Sequence, residues 1–136
     1  VHIKTLVVIF VLAYILNFFW EFIHYPLYIC PMPRIPCALI SALIDAIIIE
    51  LFYFTGVLVF RDGNWIGSMT GKKTAILAIG SLVTAYVIEL RALWLHKWAY
   101  TQFMPLMPIL NVGLSPMLQL LVTSFLTFRM VRYFTK

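Results

Sequence analysis

Four long apolar stretches divide this chain, and they constrain its fold more than any other feature of the sequence. A helix that crosses a bilayer needs about 20 mostly apolar residues. Only 11% of the 136 residues are charged and 63% are hydrophobic, a balance typical of membrane proteins rather than soluble domains. The predicted spans are 5–28, 38–60, 74–98 and 116–134, with residues 109–115 as a candidate for irregular chain inside the bilayer. The sequence therefore predicts an all-α, polytopic membrane protein: a four-transmembrane-helix bundle that forms a single transmembrane domain over residues 1–136.

The basic residues predict how this bundle is oriented. With four spans, both termini and the 61–73 loop fall on one side of the membrane. That side carries most of the ten Lys and Arg residues: Lys4, Arg61, Lys72, Lys73, Arg129, Arg132 and Lys136. The positive-inside rule then places both termini in the cytoplasm, and we expect a bacterial or archaeal cytoplasmic membrane.

Because these charges flank apolar spans and form no patch on a polar surface, we expect no nucleic-acid partner. No small-residue cleavage site follows the first span, so we expect that span to be retained.

Four of the five acidic residues lie inside the predicted spans. These are Glu21, Asp45, Glu50 and Glu89. Each costs about 2.5–3.5 kcal/mol in hydrocarbon, and such groups normally face a cavity or the interior of a bundle. Counted at 1.5 Å per residue, Glu21, Asp45 and Glu89 lie about 10–13 Å from the same side of the membrane, so we expect them to share one cavity. Glu50 points about 140° away from Asp45 on an ideal helix, and its partner is left open.

Polar and aromatic residues near this depth complete the candidate site. On a helix, Asn17, Glu21 and His24 fall on roughly one face. The candidate catalytic residues are Glu21, Asp45 and Glu89. The candidate substrate-binding residues are Asn17, Trp20, His24, Tyr25, Arg91, Trp94, Asn111 and Gln119. Two structural alternatives stay open: a salt bridge between Arg91 and either Glu21 or Glu89, and an interfacial belt of Trp and Tyr side chains.

The spacing of histidine, acidic and cysteine residues bears on metal binding and on disulfide bonding. Glu21 and His24 have the E-x-x-H spacing of di-iron carboxylate bundles, but that site needs a second such pair and two further Glu residues. We therefore expect no metal and no cofactor. Cys30 and Cys37 flank the segment between the first two spans. An oxidising exterior would bridge them, and two free thiols are the equal alternative.

Several motifs resemble those of a family of small, four-span bacterial membrane proteins. The motifs are W-E-x4-P-L-Y (Trp20, Glu21, Pro26, Leu27, Tyr28), W-A-Y (98–100), M-P-x-x-P (104–108) and G-x-x-P-x-x-Q (Gly113, Pro116, Gln119). They cover most of the chain. The resemblance implies a four-span membrane fold, but it does not imply any activity.

The first two spans also resemble the first acidic motif of membrane-integral terpene cyclases. The matching residues are N-x-x-W-E-F at 17–22 and Asp45 in an apolar helix. Those enzymes use intramembrane acids to protonate an isoprenoid epoxide or olefin, so the resemblance implies related chemistry here. This chain is shorter and has fewer spans, so a complete cavity of that kind would draw on a homodimer.

The buried acids predict an intramembrane enzyme of the cyclase, isomerase or hydratase type, acting on an isoprenoid or another lipid. A carboxyl group desolvated among aromatic rings favours its protonated form, which is a general acid at neutral pH. We expect Glu21 to donate the proton, and Asp45 or Glu89 to take one back or to hold the donor. The ring faces of Trp20, Tyr25 and Trp94 would shield a developing carbocation.

The alternative is a non-enzymatic membrane subunit or a small proton-coupled carrier that uses the acids for assembly or transport. A carrier should show polar residues through the full depth of the membrane. Here the predicted cytoplasmic halves of the first and fourth spans are almost wholly apolar or hydroxylic. That asymmetry favours a pocket in the outer half of the bilayer.

Overall fold

Four helices carry the four apolar stretches. α1 covers Ile3–His24, α2 Arg34–Phe60, α3 Gly71–Trp94 and α4 Leu114–Phe134. In this computed structural model, which describes residues 1–135, all four are long and apolar enough to cross a membrane. The all-α prediction is confirmed to that extent. Lys136, counted above among the basic residues, lies outside the described residues.

The helix ends differ from the predicted spans by up to four residues, and prolines account for two of the three largest differences. α1 ends at His24 because Pro26 cannot continue it, and a 3₁₀ turn, Tyr25–Leu27, follows. α2 begins four residues earlier than predicted, at Arg34, since Pro36 is tolerated in the first turn of a helix. α3 ends at Trp94, and residues 95–113 form a loop instead. Glu21 and Glu89 therefore lie closer to their helix ends than the predicted depths.

The helices pack in the order α2, α1, α4, α3. α1 packs extensively against α2 and also against α4, and α3 packs against α4. By contrast, α2 and α3 barely contact each other. The bundle therefore has an open seam between α2 and α3, which we call the α2–α3 cleft.

The end of the bundle that holds both termini, here the terminal end, is closed by one tryptophan. Trp65 lies in a second 3₁₀ turn, Trp65–Ser68, and its ring packs against Tyr53, Phe60 and Phe128. Its indole Nε1–H donates to the backbone oxygen of Tyr53 at 3.0 Å. Gly56 makes this packing possible, because a Cβ there would collide with the Trp65 ring. The result is a dry apolar plug at the terminal end.

The opposite end, here the ribbon end, is organised by a small antiparallel ribbon. β1 (Tyr28–Ile29) pairs with β2 (Ala99–Tyr100), with Tyr28 opposite Tyr100. A disulfide joins Cys30 to Cys37, so of the two alternatives left open the structure has the bridged one. The ribbon and the disulfide tie the two long connections of this end to the helix ends, and they fix the side chains that surround the acids.

Candidate functional site in the acid cavity

A cavity near the ribbon end brings the predicted acids together. Its volume is about 100 Å³, and it opens along the α2–α3 cleft. We call it the acid cavity. Its polar lining comes from all four helices and the ribbon: Glu21, Tyr25, Tyr28, Ser41, Asp45, Glu89, Trp98 and Gln119. The similar depths of the acids on separate helices, counted from the sequence, predicted that they would face one cavity.

Gln119 is the hub of the cavity. Its side-chain Nε2 donates towards Asn17 Oδ1 at 3.1 Å, Glu21 Oε1 at 2.9 Å and Asp45 Oδ2 at 2.7 Å. Three acceptors around one nitrogen fix the orientation of the amide. They also bring the carboxyl oxygens of Glu21 and Asp45 within a few ångströms of each other. Thr123 continues the network, because its hydroxyl lies 3.1 Å from Asn17 Oδ1 and 2.8 Å from the backbone oxygen of Gln119.

A second set of hydrogen bonds holds the other oxygen of Glu21. His24 Nε2 lies 2.9 Å from Glu21 Oε2, and His24 Nδ1 lies 2.7 Å from Ser115 Oγ. Trp20 Nε1–H donates to the same Ser115 oxygen at 3.2 Å. Since Trp20 can only donate, the Ser115 hydroxyl proton is free to point at His24 Nδ1. In the tautomer that accepts this proton on Nδ1, His24 carries its own proton on Nε2 and donates it to Glu21.

Glu89 is held separately, by donors only. Tyr100 Oη–H donates to Glu89 Oε2 at 2.5 Å, Trp98 Nε1–H at 3.4 Å and Tyr28 Oη–H at 3.5 Å. The backbone N–H of Gly113 donates in turn to Tyr100 Oη at 3.0 Å, which positions that phenol. All three donors converge on one oxygen, so Glu89 Oε2 acts as the acceptor in this arrangement.

The surroundings of Tyr100 keep its phenol protonated, so that it remains a hydrogen-bond donor to Glu89. Burial, followed by the hydrogen bond to Glu89, raises the pKa of Tyr100 above that of an ordinary phenol, against the opposing effect of the Gly113 N–H. The phenol therefore keeps its proton at any physiological pH, and Glu89 keeps its shortest hydrogen bond.

Six of the eight predicted substrate-binding residues do not line the cavity, and three of those six also lie away from the acids. Trp94 is 79% exposed on the outer surface of α3, because α3 ends at this residue and its last turn directs the ring away from the bundle. Arg91 is also exposed, and no ion pair joins it to Glu21 or Glu89 within residues 1–135. Asn111 is exposed and occupies a left-handed backbone conformation (φ 54°), a turn position that asparagine tolerates. These three expectations are corrected.

The other candidates are close to the acids. Asn17, His24 and Gln119 are all nearly fully buried, and Trp20 reaches the network through Ser115. Tyr25 lines the cavity while its hydroxyl donates to the backbone oxygen of Met32 at 2.7 Å. No structural observation assigns these residues a role, so their catalytic and substrate-binding functions stay predictions.

Sequence reasoning misses four contributors to the site. Ser115 and Thr123 are absent from the predicted set, although their spacing from Gln119, four residues to either side, places all three on one face of α4. Tyr28 and Tyr100 fit an interfacial belt when only the sequence is considered. Their pairing across the ribbon, which directs both phenols at Glu89, has no signal in the sequence.

Two further findings concern the ionisable groups. Glu50 is half-buried on α2, away from the acid cavity, and none of the described residues forms an ion pair or hydrogen bond with its side chain. Across positions 1–135, no group of three or more His, Cys, Asp and Glu side chains is placed to hold a metal ion.

Comparison with known proteins adds no family to this description. No protein-family model, no curated protein and no solved structure matches the chain.

Proposed function

We propose that this chain is an intramembrane enzyme that transfers a proton to and from an isoprenoid or another unsaturated lipid in the acid cavity. The observation that carries the proposal is the pairing of Glu21 with Asp45 on a single amide nitrogen. No Lys or Arg lies among the residues described as lining the cavity. Two carboxyl groups this close, with no Lys or Arg beside them, favour a state in which they share a proton.

The donors around the pair also favour the shared proton. Gln119 Nε2 carries two hydrogens, which suffice for Glu21 Oε1 and Asp45 Oδ2, and the Thr123 hydroxyl hydrogen serves Asn17 Oδ1. Neither donor carries a full positive charge, so they do not offset the repulsion between two ionised carboxylates. A proton shared by Glu21 and Asp45 removes that repulsion, and it is the proton available for transfer.

Glu89 supplies the complementary function. Held by three donors, it is suited to remain a carboxylate facing the same cavity. When the Glu21–Asp45 pair protonates a carbon–carbon double bond or an epoxide oxygen, a carbocation develops on the substrate. The negative charge of Glu89 stabilises that cation, and Glu89 then accepts a proton from an adjacent carbon. The sum is an isomerisation or cyclisation in which the substrate gains one proton and loses one.

Two independent features support an orientation with the termini in the cytoplasm. The described basic residues concentrate at the terminal end, in line with the positive-inside rule. The disulfide lies at the ribbon end, and disulfides persist in oxidising compartments outside the cytoplasm. In this orientation the acid cavity belongs to the outer half of the bilayer, and the α2–α3 cleft opens sideways to lipid.

Hydrogen exchange with solvent tests the proposal even while the chemical identity of the product is unknown. Proteoliposomes containing the full chain would be incubated with mixed isoprenoid lipids in D₂O, and the lipids analysed by mass spectrometry. Wild type should incorporate deuterium at carbon. Glu21→Gln and Asp45→Asn should each reduce the rate by about 10²–10⁴-fold, because each removes one carboxyl group from the pair.

Arg91→Gln is the matched control, since it changes an exposed polar residue outside the cavity. Its exchange rate should equal that of wild type, and melting temperatures should show that all three variants fold. Absence of deuterium in every lipid with wild type, or equal exchange in Glu21→Gln, would refute the proposal.

The non-enzymatic alternative is supported by one observation. Glu21, Asp45 and Glu89 each have protein hydrogen-bond partners, as members of a purely structural network would. A carrier is less well supported, because the Trp65 plug closes the terminal end. In the structural case Glu21→Gln should lower the melting temperature sharply, and no lipid should exchange.

A further inference from the structure

The α2–α3 cleft contains a second cavity beyond the acid cavity. This apolar cavity, of about 110 Å³, is lined by Phe52, Gly56 and Val59 of α2 and by Ile76, Leu77 and Gly80 of α3, among others. The two polar groups in its wall are already used: Thr55 Oγ1 donates to the backbone oxygen of Leu51, and Trp65 Nε1 donates to that of Tyr53. The apolar cavity therefore offers a ligand no free hydrogen-bond donor.

The two cavities lie at different heights in one seam. Along α2, Asp45 precedes Val59 by fourteen residues, and along α3, Gly80 precedes Glu89 by nine residues. At 1.5 Å per residue these separations correspond to about 14–21 Å. Half of a hydrocarbon core of about 30 Å is similar in length. The distance from the acids to the apolar cavity thus matches one lipid tail that spans a single leaflet.

Phe52 is the largest of the side chains that lie between the cavities along α2. It lines the apolar cavity, and it packs against both core clusters of the bundle. Ile48, one turn nearer to Asp45, packs with it against the cluster that contains Ala85 and Leu120, and these two residues also line the acid cavity. A chain that runs along α2 from one cavity to the other therefore lies against Phe52.

We propose that the α2–α3 cleft binds the tail of a single-chain lipid, with its reactive end at the acids and its distal end in the apolar cavity. The proposal rests on the function proposed above and specifies its substrate class. Each cavity is smaller than the ~300–1,000 Å³ typical of sites for drug-sized ligands, so the cleft suits one hydrocarbon chain rather than the paired tails of a phospholipid. Phe52 is then the residue that sets the accepted chain length.

Photolabelling with 1-alkanols tests this placement directly. Hexadecanol and octanol, each with a diazirine at the tail end, would be added to proteoliposomes, irradiated, and the labelled peptides mapped by mass spectrometry. Terminal hexadecanol label should appear between residues 52 and 60 of α2 or 76 and 80 of α3. Terminal octanol label should stop short of the apolar cavity, between residues 45 and 51 of α2 or 82 and 88 of α3.

Substitution at Phe52 tests the length limit. Phe52→Trp should abolish hexadecanol label at the apolar cavity, because the larger ring closes the passage. Phe54→Trp is the matched control, since Phe54 is exposed, does not line either cavity, and gains the same volume. Its labelling pattern should equal that of wild type.

Label scattered over the exposed faces of all four helices, or an identical pattern in both tryptophan variants, would overturn the proposal. The wild-type comparison of octanol with hexadecanol decides the matter even where Phe52→Trp does not fold. Because labelling needs no chemistry at the acids, Glu21→Gln should label like wild type. Labelling at the apolar cavity without deuterium exchange would therefore leave the tail site intact and reject the enzyme, and exchange without such labelling would do the reverse.

Discussion

At the residue scale, the site is a network of hydrogen bonds, and only part of that network could be predicted from the sequence. The heights of Glu21, Asp45, Glu89 and Gln119 could be read from helix rise, and the structure places all four at one cavity. The directions of Arg91 and Trp94 could also be read from the sequence, because at 100° per residue they lie about 160° and 140° around α3 from Glu89. A similar depth alone wrongly grouped them with the acids. The absolute depths of Glu21 and Glu89 could not be read, because they depend on where α1 and α3 end.

A prediction at this scale concerns Asp62, in the loop after α2. The backbone N–H of Asn64, at 2.8 Å, and then the Lys73 ammonium, at 3.3 Å, lower the pKa of Asp62. Its unfolded pKa is about 3.9, so the charge stabilises the fold above that pH. The contribution is lost as the pH falls through the lower, folded value.

Asp62→Asn should therefore reduce the melting temperature near pH 7, and the difference from wild type should shrink towards zero as the pH falls through the lowered pKa of the folded state. Melting curves in detergent across this pH range measure it. Asparagine can still accept from the Asn64 N–H, so the comparison isolates the charge. A difference that stays constant with pH would contradict the prediction.

At the scale of the secondary-structure elements, the helices could be predicted from the sequence, whereas the segments that connect them could not. Long apolar runs and prolines fixed the number and approximate positions of α1 to α4. The β1–β2 ribbon joins residues about seventy positions apart, and two-residue strands carry no periodicity that a sequence pattern could reveal. The ribbon nevertheless delivers Tyr28 and Tyr100 to Glu89, so the least predictable element positions part of the site.

The contact between α2 and the Trp65 turn gives a prediction for this scale. Gly56→Ala places a methyl group where the indole of Trp65 lies, and that ring is confined by Tyr53, Phe60 and Phe128. Overpacking of this kind costs about 1–3 kcal/mol, so the melting temperature should fall.

Gly80→Ala is the matched control on α3, because nothing lies within 4 Å of the added Cβ. It should be neutral or slightly stabilising, since alanine favours helix more than glycine. Equal effects of the two substitutions in a detergent melting experiment would show that Trp65 does not pack on Gly56.

At the scale of the whole molecule, the proposed orientation is directly testable. The disulfide and the basic terminal end predict that Cys30 and Cys37 face the exterior. In intact cells, an impermeant maleimide should label them only after treatment with a reductant. A variant with both cysteines replaced by alanine and with Asp62→Cys should be labelled only after the cells are opened. Labelling of Cys30 and Cys37 only in opened cells, and of the cysteine at position 62 in intact cells, would show that the bundle has the opposite orientation in the membrane.

The open seam between α2 and α3 also affects how the bundle responds to the surrounding lipid. Along its length α3 packs mainly against α4, so a tilt of α3 about that contact would change the α2–α3 cleft more than the packing of α1 with α2 and α4. In a bilayer, the lateral pressure of the surrounding lipid acts on this free flank, whereas a detergent micelle relaxes it. The width of the acid cavity then depends on the membrane as well as on the chain. A tightly packed bilayer would narrow the cavity, and a loosely packed one would widen it.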